Sequence, residues 1–490
     1  MTPLRLKTSL LTVLSLLALS AHGAPPSTSR PPNIVMIAID DMNDWIGALA
    51  GPADTPHIDG FAKSGVLFRN AYCVTPACNP SRVALLTGLR PETTGQYSNE
   101  GNFRQQRPGN EAILTLPQRL QKMGYRTLAA GKIFHLPRGV NPAANALSDP
   151  VSWDEQYSGV TGTPGAADYQ DANGWAKWLK GDRRDITSDY ALRSALWGPI
   201  PQKKEETGDW QTAGFCADYI SRPHEQPYFL ACGIFRPHAP LLAPQEYFDR
   251  YPLDKVQLPE CPPDDMVDIP AIAKANWSTP LVKAMQKEGQ WKPAVQAYLA
   301  CMSFADDCVG RVLAAIEKSP DRDNTIVILW TDHGWQLGHK DRWEKFALWR
   351  QATHAPLVVR VPGLPAGQCD QAVSFLDLTP TVLEVLAAPM PPELHGQSLL
   401  PWLHEPTRAR QQPAVVTYMP GNHSVVHEPW NYIRYEDGSE ELYNHATDPR
   451  EFHNLIGQPG SADIVNQLKV WIPPTPAADL KKKSPATEKG

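Results

Sequence analysis

The segment 78–88, Cys-Asn-Pro-Ser-Arg-Val-Ala-Leu-Leu-Thr-Gly, places a reactive side chain at the start of a predicted helix. Pro80 suits the first helical turn, because its fixed φ fits that position and its missing N–H is not needed there. Gly88 predicts the left-handed cap that ends the helix. The N–H groups at the start of a helix attract anions, and the Arg82 side chain can reach the same place. The pattern predicts an anion pocket facing Cys78, with a buried structural cysteine as the plain alternative.

Acidic side chains follow two apolar runs that predict buried parallel strands. The run 33–39 ends in Asp40 and Asp41, and the run 324–330 leads to Asp332. Open α/β sheets bind their ligands at the carboxyl ends of the strands. Adjacent carboxylates repel each other unless a cation lies between them, and a hard divalent ion suits oxygen ligands. The pattern predicts a divalent cation site, with an acidic turn at a strand end as the alternative.

Two further predicted strands lead into basic side chains. The strand 125–129 runs into Lys132 and His135, which are three residues apart and can converge on one anion. The strand 228–235 runs into His238, a candidate hydrogen-bond donor or general acid. Taken alone, each of these side chains could equally be a solvated loop residue with no chemical role. Their chemistry therefore depends on which other groups the fold brings beside them.

The segment 78–88 resembles the signature of type I sulfatases, Cys-x-Pro-Ser-Arg followed by Leu-Thr-Gly. In that family a separate maturation enzyme converts the cysteine, here Cys78, to formylglycine. A serine that attacked a sulfate ester would itself be left as a stable sulfate ester. A hydrated aldehyde has two hydroxyls on one carbon, so one attacks sulfur and the other, once deprotonated, collapses to the carbonyl and expels sulfate. The resemblance implies a sulfuric ester hydrolase.

The resemblance extends to the blocks that carry the acids and the cations, and it implies one bound Ca²⁺. The implied calcium ligands are Asp40, Asp41, Asp332, an oxygen of the modified Cys78, and His333. Histidine is an unusual calcium ligand, because hard cations prefer oxygen, so His333 is either a ligand or a close partner of the modified residue.

The same resemblance implies roles for the basic residues of these blocks. The residues implied to stabilise charge on the transferring sulfate are Arg82, Lys132, His238 and Lys345. His135 is implied to hold a hydroxyl of the modified residue and to help expel sulfate. His238 or Lys345 would protonate the leaving alkoxide, and the sequence leaves both assignments open.

Three blocks are similar to the iduronate-2-sulfatase branch of this family. They are Gly-Lys-Ile-Phe-His at 131–135, Phe-Arg-Pro-His-Ala-Pro at 235–240 and Asp-His-Gly-Trp at 332–335. The implied substrate is a sulfated saccharide of the glycosaminoglycan or algal polysaccharide type, with a 2-O-sulfated uronate as one candidate. One departure is Val426, which stands where relatives often have an arginine after a Gly-Asn-His block. If that arginine contacts substrate in relatives, this chain lacks the contact.

The expected fold is α/β: an alkaline-phosphatase-like sandwich with a central, mostly parallel sheet at 33–397. Within it, the polar and weakly periodic region 140–225 is predicted to be an insertion lining the substrate cleft. Short strands at 414–418, 430–436 and 441–443 predict an antiparallel sheet. They belong to a smaller C-terminal α+β subdomain at 398–477.

The two ends of the chain are predicted to lie outside the folded domains. Residues 1–23 have the basic start, the apolar stretch and the small-residue cleavage site of a signal peptide. The apolar stretch is too short for a stable membrane anchor, so we expect a periplasmic or secreted enzyme. The Pro/Ser-rich leader 24–32 and the lysine-rich tail 478–490 are predicted to be disordered.

The net charge of −6 gives no reason to expect a nucleic-acid partner. Two other functions remain open from the sequence. One is a phosphomonoesterase or phosphonate hydrolase on the same scaffold. The other is a glycan-binding protein with a catalytically dead site, in which Cys78 stays an unmodified thiol.

Overall fold

The computed structural model describes residues 30–135, 149–157, 194–275 and 279–481. The predicted signal peptide, the leader up to residue 29 and the tail from residue 482 lie outside the described residues. About half of the predicted cleft insertion at 140–225 lies outside them as well.

The described residues contain sixteen strands. In chain order they are β1 (Asn33–Asp40), β2 (Val66–Tyr72), β3 (Arg126–Gly131), β4 (Glu155–Tyr157), β5 (Trp197–Ile200), β6 (Tyr228–Pro237), β7 (Leu241–Pro244), β8 (Thr325–Thr331), β9 (Gln336–Leu337), β10 (Trp343–Glu344), β11 (Leu357–Arg360), β12 (Gly367–Ser374), β13 (Ala414–Thr417), β14 (His423–His427), β15 (Trp430–Arg434) and β16 (Glu440–Asn444).

Eight of these strands form the main sheet, in the order β12-β2-β11-β8-β1-β6-β3-β4. All neighbouring strands run parallel except β11, which is antiparallel to both β2 and β8. The predicted α/β fold class with a mostly parallel sheet is therefore confirmed.

The central strand β1 is buried along its whole length. Its side chains alternate between the two faces of the sheet, so Ile37 packs into one hydrophobic core and Met36 into the other. A strand covered on both faces needs apolar residues at every position, which explains its continuous apolar run.

Helices cover both faces of the main sheet. In chain order they are α1 (Pro56–Ala62), α2 (Cys78–Thr87), α3 (Pro91–Thr94), α4 (Phe103–Gln106), α5 (Leu116–Lys122), α6 (Gly208–Ile220), α7 (Gln245–Phe248), α8 (Ala271–Lys274), α9 (Thr279–Lys287), α10 (Trp291–Lys318), α11 (Arg350–Thr353), α12 (Leu378–Val385), α13 (Leu400–His404), α14 (Ser461–Lys469) and α15 (Ala477–Lys481). Helices α6 and α10 share one core with β1, whereas α2, α5 and α12 share the other.

Two described segments of the region 140–225 belong to this sandwich. Strand β4 pairs in parallel with β3 at the edge of the main sheet. Helix α6 packs between β6 and the long helix α10. These segments build the sheet and its helical layer.

The C-terminal region forms a second, antiparallel sheet in the order β13-β14-β15-β16. Strand β14 lies between two strands that the sequence pattern predicted, and was not itself predicted. Val415, Val425, Tyr432 and Leu442 make a small core of their own with Leu468 from α14. Within the described residues, no helix combines the length and apolar character needed to cross a membrane.

Two segments predicted to be disordered make defined contacts. At the start, Arg30 donates from its guanidinium to the carbonyls of His224 and Gln226, at 2.8 and 2.6 Å. At the end, residues 477–481 form helix α15, and Asp479 within it is buried. Both segments therefore have buried or charged partners that composition does not reveal.

An ionic network joins the main sheet to the C-terminal sheet. The Arg350 guanidinium donates to Glu428 Oε1 at 3.0 Å. The His445 ring lies between two carboxylates, with Nδ1 3.1 Å from Glu428 and Nε2 2.9 Å from Glu451. Burial alone would lower the pKa of His445, but its hydrogen bonds to Glu428 and Glu451 raise it above its ordinary value.

This network predicts a pH-dependent contribution to stability. Because the folded-state pKa of His445 is raised, the ring is stabilising while protonated, and this stabilisation fades as the pH rises through the raised value. We expect His445→Gln to lower the free energy of unfolding more at pH 5.5 than at pH 9. Urea unfolding at both pH values measures this difference, and an equal loss at both would contradict it.

Candidate active site

The carboxyl ends of four neighbouring strands, β8, β1, β6 and β3, meet at one edge of the main sheet. Each strand is followed by a side chain singled out in the sequence: Asp332 after β8, Asp41 after β1, His238 after β6 and Lys132 after β3. The parallel arrangement of these strands brings together residues that are far apart in the chain.

Cys78 is the first residue of α2 and is completely buried. Its Sγ lies 3.1 Å from Lys345 Nζ, 3.4 Å from His333 Nε2 and 3.7 Å from Asp41 Oδ1. Burial raises the pKa of the Cys78 thiol, although Lys132 and Lys345 act to lower it. Residue 78 therefore faces one carboxylate, one imidazole and one ammonium group at contact distance.

Lys345 donates to both carboxylate oxygens of Asp41, at 2.7 and 2.9 Å. Its Nζ also lies 5.5 Å from the centre of the Trp335 ring, within the range of a cation–π contact. Burial raises the pKa of Asp41 well above its ordinary value, against the lowering influence of Lys345. These contacts fix the ammonium beside residue 78.

His333 directs a defined nitrogen toward residue 78. Its Nδ1 lies 2.9 Å from the Gly334 carbonyl, which can only accept a hydrogen bond. The neutral ring therefore carries its proton on Nδ1 and presents a lone pair on Nε2. That Nε2 lies 3.3 Å from Asp41 Oδ1 and 3.7 Å from Asp332 Oδ2.

Arg82 joins two acids of the cluster. Its Nε donates to Asp332 Oδ2 at 2.8 Å, and its Nη2 donates to Asp40 Oδ1 at 3.0 Å. Nη1 donates to the carbonyls of Lys132 and Ile133, at 2.7 and 2.9 Å. The side chain has no exposed surface, and four of its N–H groups are taken up by two carboxylates and two carbonyls.

Lys132 also pairs with an acid of the cluster, because its Nζ lies 2.5 Å from Asp40 Oδ2. Burial would raise the pKa of Asp40, but its ion pairs with Lys132 and Arg82 hold it well below its usual range. Asp40 therefore remains ionised between two cationic side chains.

The two other histidines border the same cluster. His238 Nδ1 lies 2.6 Å from the Ala239 carbonyl, and its Nε2 lies 3.7 Å from Asp41 Oδ2. His135 has a buried Nδ1 with no hydrogen-bond partner among the described residues. Burial, together with nearby Lys132, lowers the pKa of His135 well below its ordinary value.

The structure adds supporting residues that the sequence did not mark. Ser81 Oγ donates to the Asp332 carbonyl at 2.5 Å. Tyr298 Oη donates to the Asp41 carbonyl at 2.8 Å. Asp41 itself has a left-handed backbone with φ 64°, which aspartate tolerates better than most residues. No local pattern reveals Tyr298, because it looks like one more apolar-face residue of a long helix.

Comparisons with known proteins agree with this arrangement. The family model named Sulfatase matches residues 32–388, and that of N-sulphoglucosamine sulphohydrolase, C-terminal, matches residues 338–474. The chain is 36% identical over 455 residues to a sulfatase of Formosa agariphila, covering 91% of this chain and 87% of that protein. It is 30% identical over 370 residues to the iduronate 2-sulfatase of Homo sapiens, covering 71% and 63%.

A solved structure shows the same fold. The phosphonate monoester hydrolase of Agrobacterium radiobacter superposes with a TM-score of 0.70 at 20% identity, covering 90% of this chain and 95% of that one. The family match spans most of the chain. The resemblance seen in the signature at Cys78 is therefore confirmed, and the chain belongs to the type I sulfatases of the alkaline phosphatase superfamily, which are sulfuric ester hydrolases.

Proposed function

We propose that this sulfatase removes sulfate from a saccharide, using Ca²⁺ and a formylglycine formed from Cys78. The observation that carries the proposal is the convergence on Cys78 Sγ of Lys345, His333 and Asp41, all within 3.7 Å and all buried. A plain structural cysteine needs no such set of charged neighbours.

The buried donor atoms fit a hard divalent cation. One atom each from Asp41, Cys78, Asp332 and His333 lies within 4.8 Å of the others, and Asp40 stands next to them. The carboxylates, with an oxygen at residue 78 once modified, match the oxygen preference of Ca²⁺, and His333 is the only nitrogen in the set. When bound, Ca²⁺ supplies positive charge that lowers the pKa of a hydroxyl on residue 78 and offsets charge on the sulfate.

Formylglycine, once hydrated by addition of water to its aldehyde, would supply two hydroxyls on one carbon, one to attack sulfur and one to release sulfate. The chain's own side chains then hold the reacting groups. Lys345 Nζ lies 3.1 Å from the position of Sγ. Together with Lys132 it places positive charge where the sulfate oxygens gain negative charge. His333 presents its Nε2 to residue 78 at 3.4 Å. His135, near enough to Lys132 and Asp40 for their charges to act on its pKa, would hold a hydroxyl of the modified residue. We assign Arg82 the role of orienting Asp40 and Asp332, in place of direct contact with sulfate.

The leaving alkoxide of a sugar needs a proton, and we propose that Lys345 supplies it. In its neutral form His238 holds its proton on Nδ1, against the Ala239 carbonyl, so Nε2 has none to give. Burial, with Lys345 and Lys132 nearby, lowers the pKa of His238 well below its ordinary value and favours the neutral ring. Lys345 offers N–H donors in its charged state.

Leaving-group dependence tests this assignment. We expect Lys345→Met to lower turnover of a sugar sulfate about tenfold more than turnover of 4-nitrophenyl sulfate, whose leaving phenolate needs no proton. His238→Ala should lower both to a similar extent. A selective loss on the sugar sulfate in His238→Ala would transfer the role to His238.

Calcium removal tests the cation site without measuring activity. We expect Ca²⁺ added to chelator-treated enzyme to raise its Tm, because an ion at 100 times its Kd stabilises the folded state by about 2.7 kcal/mol. Asp332→Asn should lose most of this shift, whereas Asp370→Asn, which changes an exposed acid, should keep it. A shift of equal size in both variants would place the ion elsewhere.

A saccharide substrate is supported by the similarity to human iduronate 2-sulfatase, so a 2-O-sulfated uronate is the first candidate. The function is tested by co-expressing the chain with a maturation enzyme, confirming formylglycine by mass spectrometry, and screening defined sulfated saccharides for sulfate release. Phosphate monoesters and phosphonate esters serve as the comparison. Release from none of the saccharides by modified enzyme would reject the proposal, and faster phosphate release would favour the phosphatase alternative. We further propose export to the periplasm or the medium.

A further inference from the structure

A polar loop contacts the helix that carries the nucleophile. The carboxamide oxygen of Asn99 accepts from the backbone N–H of Asn79 at 3.0 Å. Asn79 in turn donates from its side chain to the carbonyls of Asn99 and Gly101, at 3.3 and 3.0 Å. The N–H groups of a first helical turn have no partner within the helix, so Asn99 caps α2 one residue after Cys78.

The same loop, residues 96–107, is held in shape by its own side chains. Gln96 donates from its amide nitrogen to the carbonyls of Ser98 and Glu100, at 2.7 and 2.8 Å. Gly101 adopts φ 76°, a left-handed conformation that lets the chain turn back toward α4. Glu100 and Gly101 are exposed, so one side of the loop meets solvent while the other meets the nucleophile helix.

The C-terminal tail fastens both ends of this loop. The Asp479 carboxylate accepts a hydrogen bond from Tyr97 Oη at 3.1 Å and forms an ion pair with Arg107. The Asp479 side chain is 7% exposed. Four residues earlier, Thr475 contacts His423 of the C-terminal sheet at 3.2 Å. One carboxylate near the end of the chain therefore ties together two points of the loop that are ten residues apart.

We propose that Asp479 is a positioning residue for sulfate hydrolysis. By joining Tyr97 to Arg107, it keeps the loop 96–107 in the conformation in which Asn99 caps α2 and fixes residue 78. The inference rests on the proposed function for its effect on turnover, but the coupling between Asp479 and the loop is a property of the fold alone. Small displacements of reacting groups reduce turnover strongly, up to about 100-fold for 1 Å.

Hydrogen exchange and kinetics on the full-length chain test the proposal. We expect Asp479→Ala to speed amide exchange in 96–107 about tenfold and to lower kcat by about tenfold with little change in KM, because the nucleophile and not the substrate is displaced. Asn99→Ala should lower kcat in the same way. The double variant should lose less than the product of the two single losses, since both act through one loop.

Glu393→Gln is the matched control. It removes another Arg–carboxylate pair, to Arg119 at 2.7 Å, and should change neither exchange in 96–107 nor kcat. Unchanged exchange in Asp479→Ala overturns the proposal, as do independent, multiplying losses in the double variant. Exchange is measured on the chain with Cys78 unmodified, so a failure of sulfate release by the natural chain would reject the proposed function without deciding this coupling.

Discussion

Cys78→Ala is expected to abolish hydrolysis of every sulfate ester, lowering it by at least about 10⁴-fold, while the enzyme remains folded. The expected loss is this large because the surrounding groups converge on one atom: Lys345, His333 and Asp41 all lie within 3.7 Å of Cys78 Sγ. With alanine at position 78, these groups have no nucleophilic side chain to act on. Sulfate release by matured enzyme measures the effect.

The fold of this variant should remain intact, because alanine at a buried cysteine position removes a single atom and changes the free energy of unfolding by about 1–2 kcal/mol. Cys369→Ala is the control, since Cys369 is also completely buried but lies on strand β12. We expect it to retain full activity. Turnover by Cys78→Ala that matches this control would place the nucleophile on another residue.

Arg82→Leu is expected to lower the free energy of unfolding by roughly 3–5 kcal/mol and to remove activity. The guanidinium joins Asp40 to Asp332 and also holds two backbone carbonyls. Removing it takes away the guanidinium that joins two buried carboxylates, and Asp40 then keeps only Lys132 as a cationic side-chain partner. Arg82→Lys should recover only part of the stability, because an ammonium lacks the planar fork that reaches four oxygens. Urea unfolding measures both changes.

Arg126→Leu serves as the control for that experiment. Arg126 pairs with Glu155 at 2.8 Å, but both side chains are more than 40% exposed. A pair of this kind contributes at most about 1 kcal/mol, because water screens it. If Arg82→Leu has the same free energy of unfolding as the wild-type enzyme, Arg82 is not the link between the acids. Its role would then be the one predicted from the sequence, in the anion pocket.

Much of the fold could be predicted from the sequence, because the patterns that indicate strands and helices are local. The apolar runs at β1, β6 and β8 are continuous, since these strands are covered on both faces, and runs this short favour buried strands over helices. Strand β14 escaped prediction, because His423–His427 is short and mixes polar with apolar residues.

The residues that gather at this edge of the sheet could also be predicted. Acids and bases that follow strand ends gather wherever parallel strands share an edge, and the motif around Cys78 added the family. The same signals could not assign partners. Arg82 was predicted to act on the anion, and no pattern indicated that four of its N–H groups would donate to Asp40, Asp332 and two carbonyls.

The sequence by itself determined which strands and helices form and which residues stand at their ends, because periodicity and turn residues act within a few positions of the chain. Only the tertiary structure decided which charges meet. Tyr298 beneath Asp41 and Asp479 against the loop 96–107 are contacts across more than 250 residues. They depend on how the layers pack, and no local pattern of side chains encodes that packing.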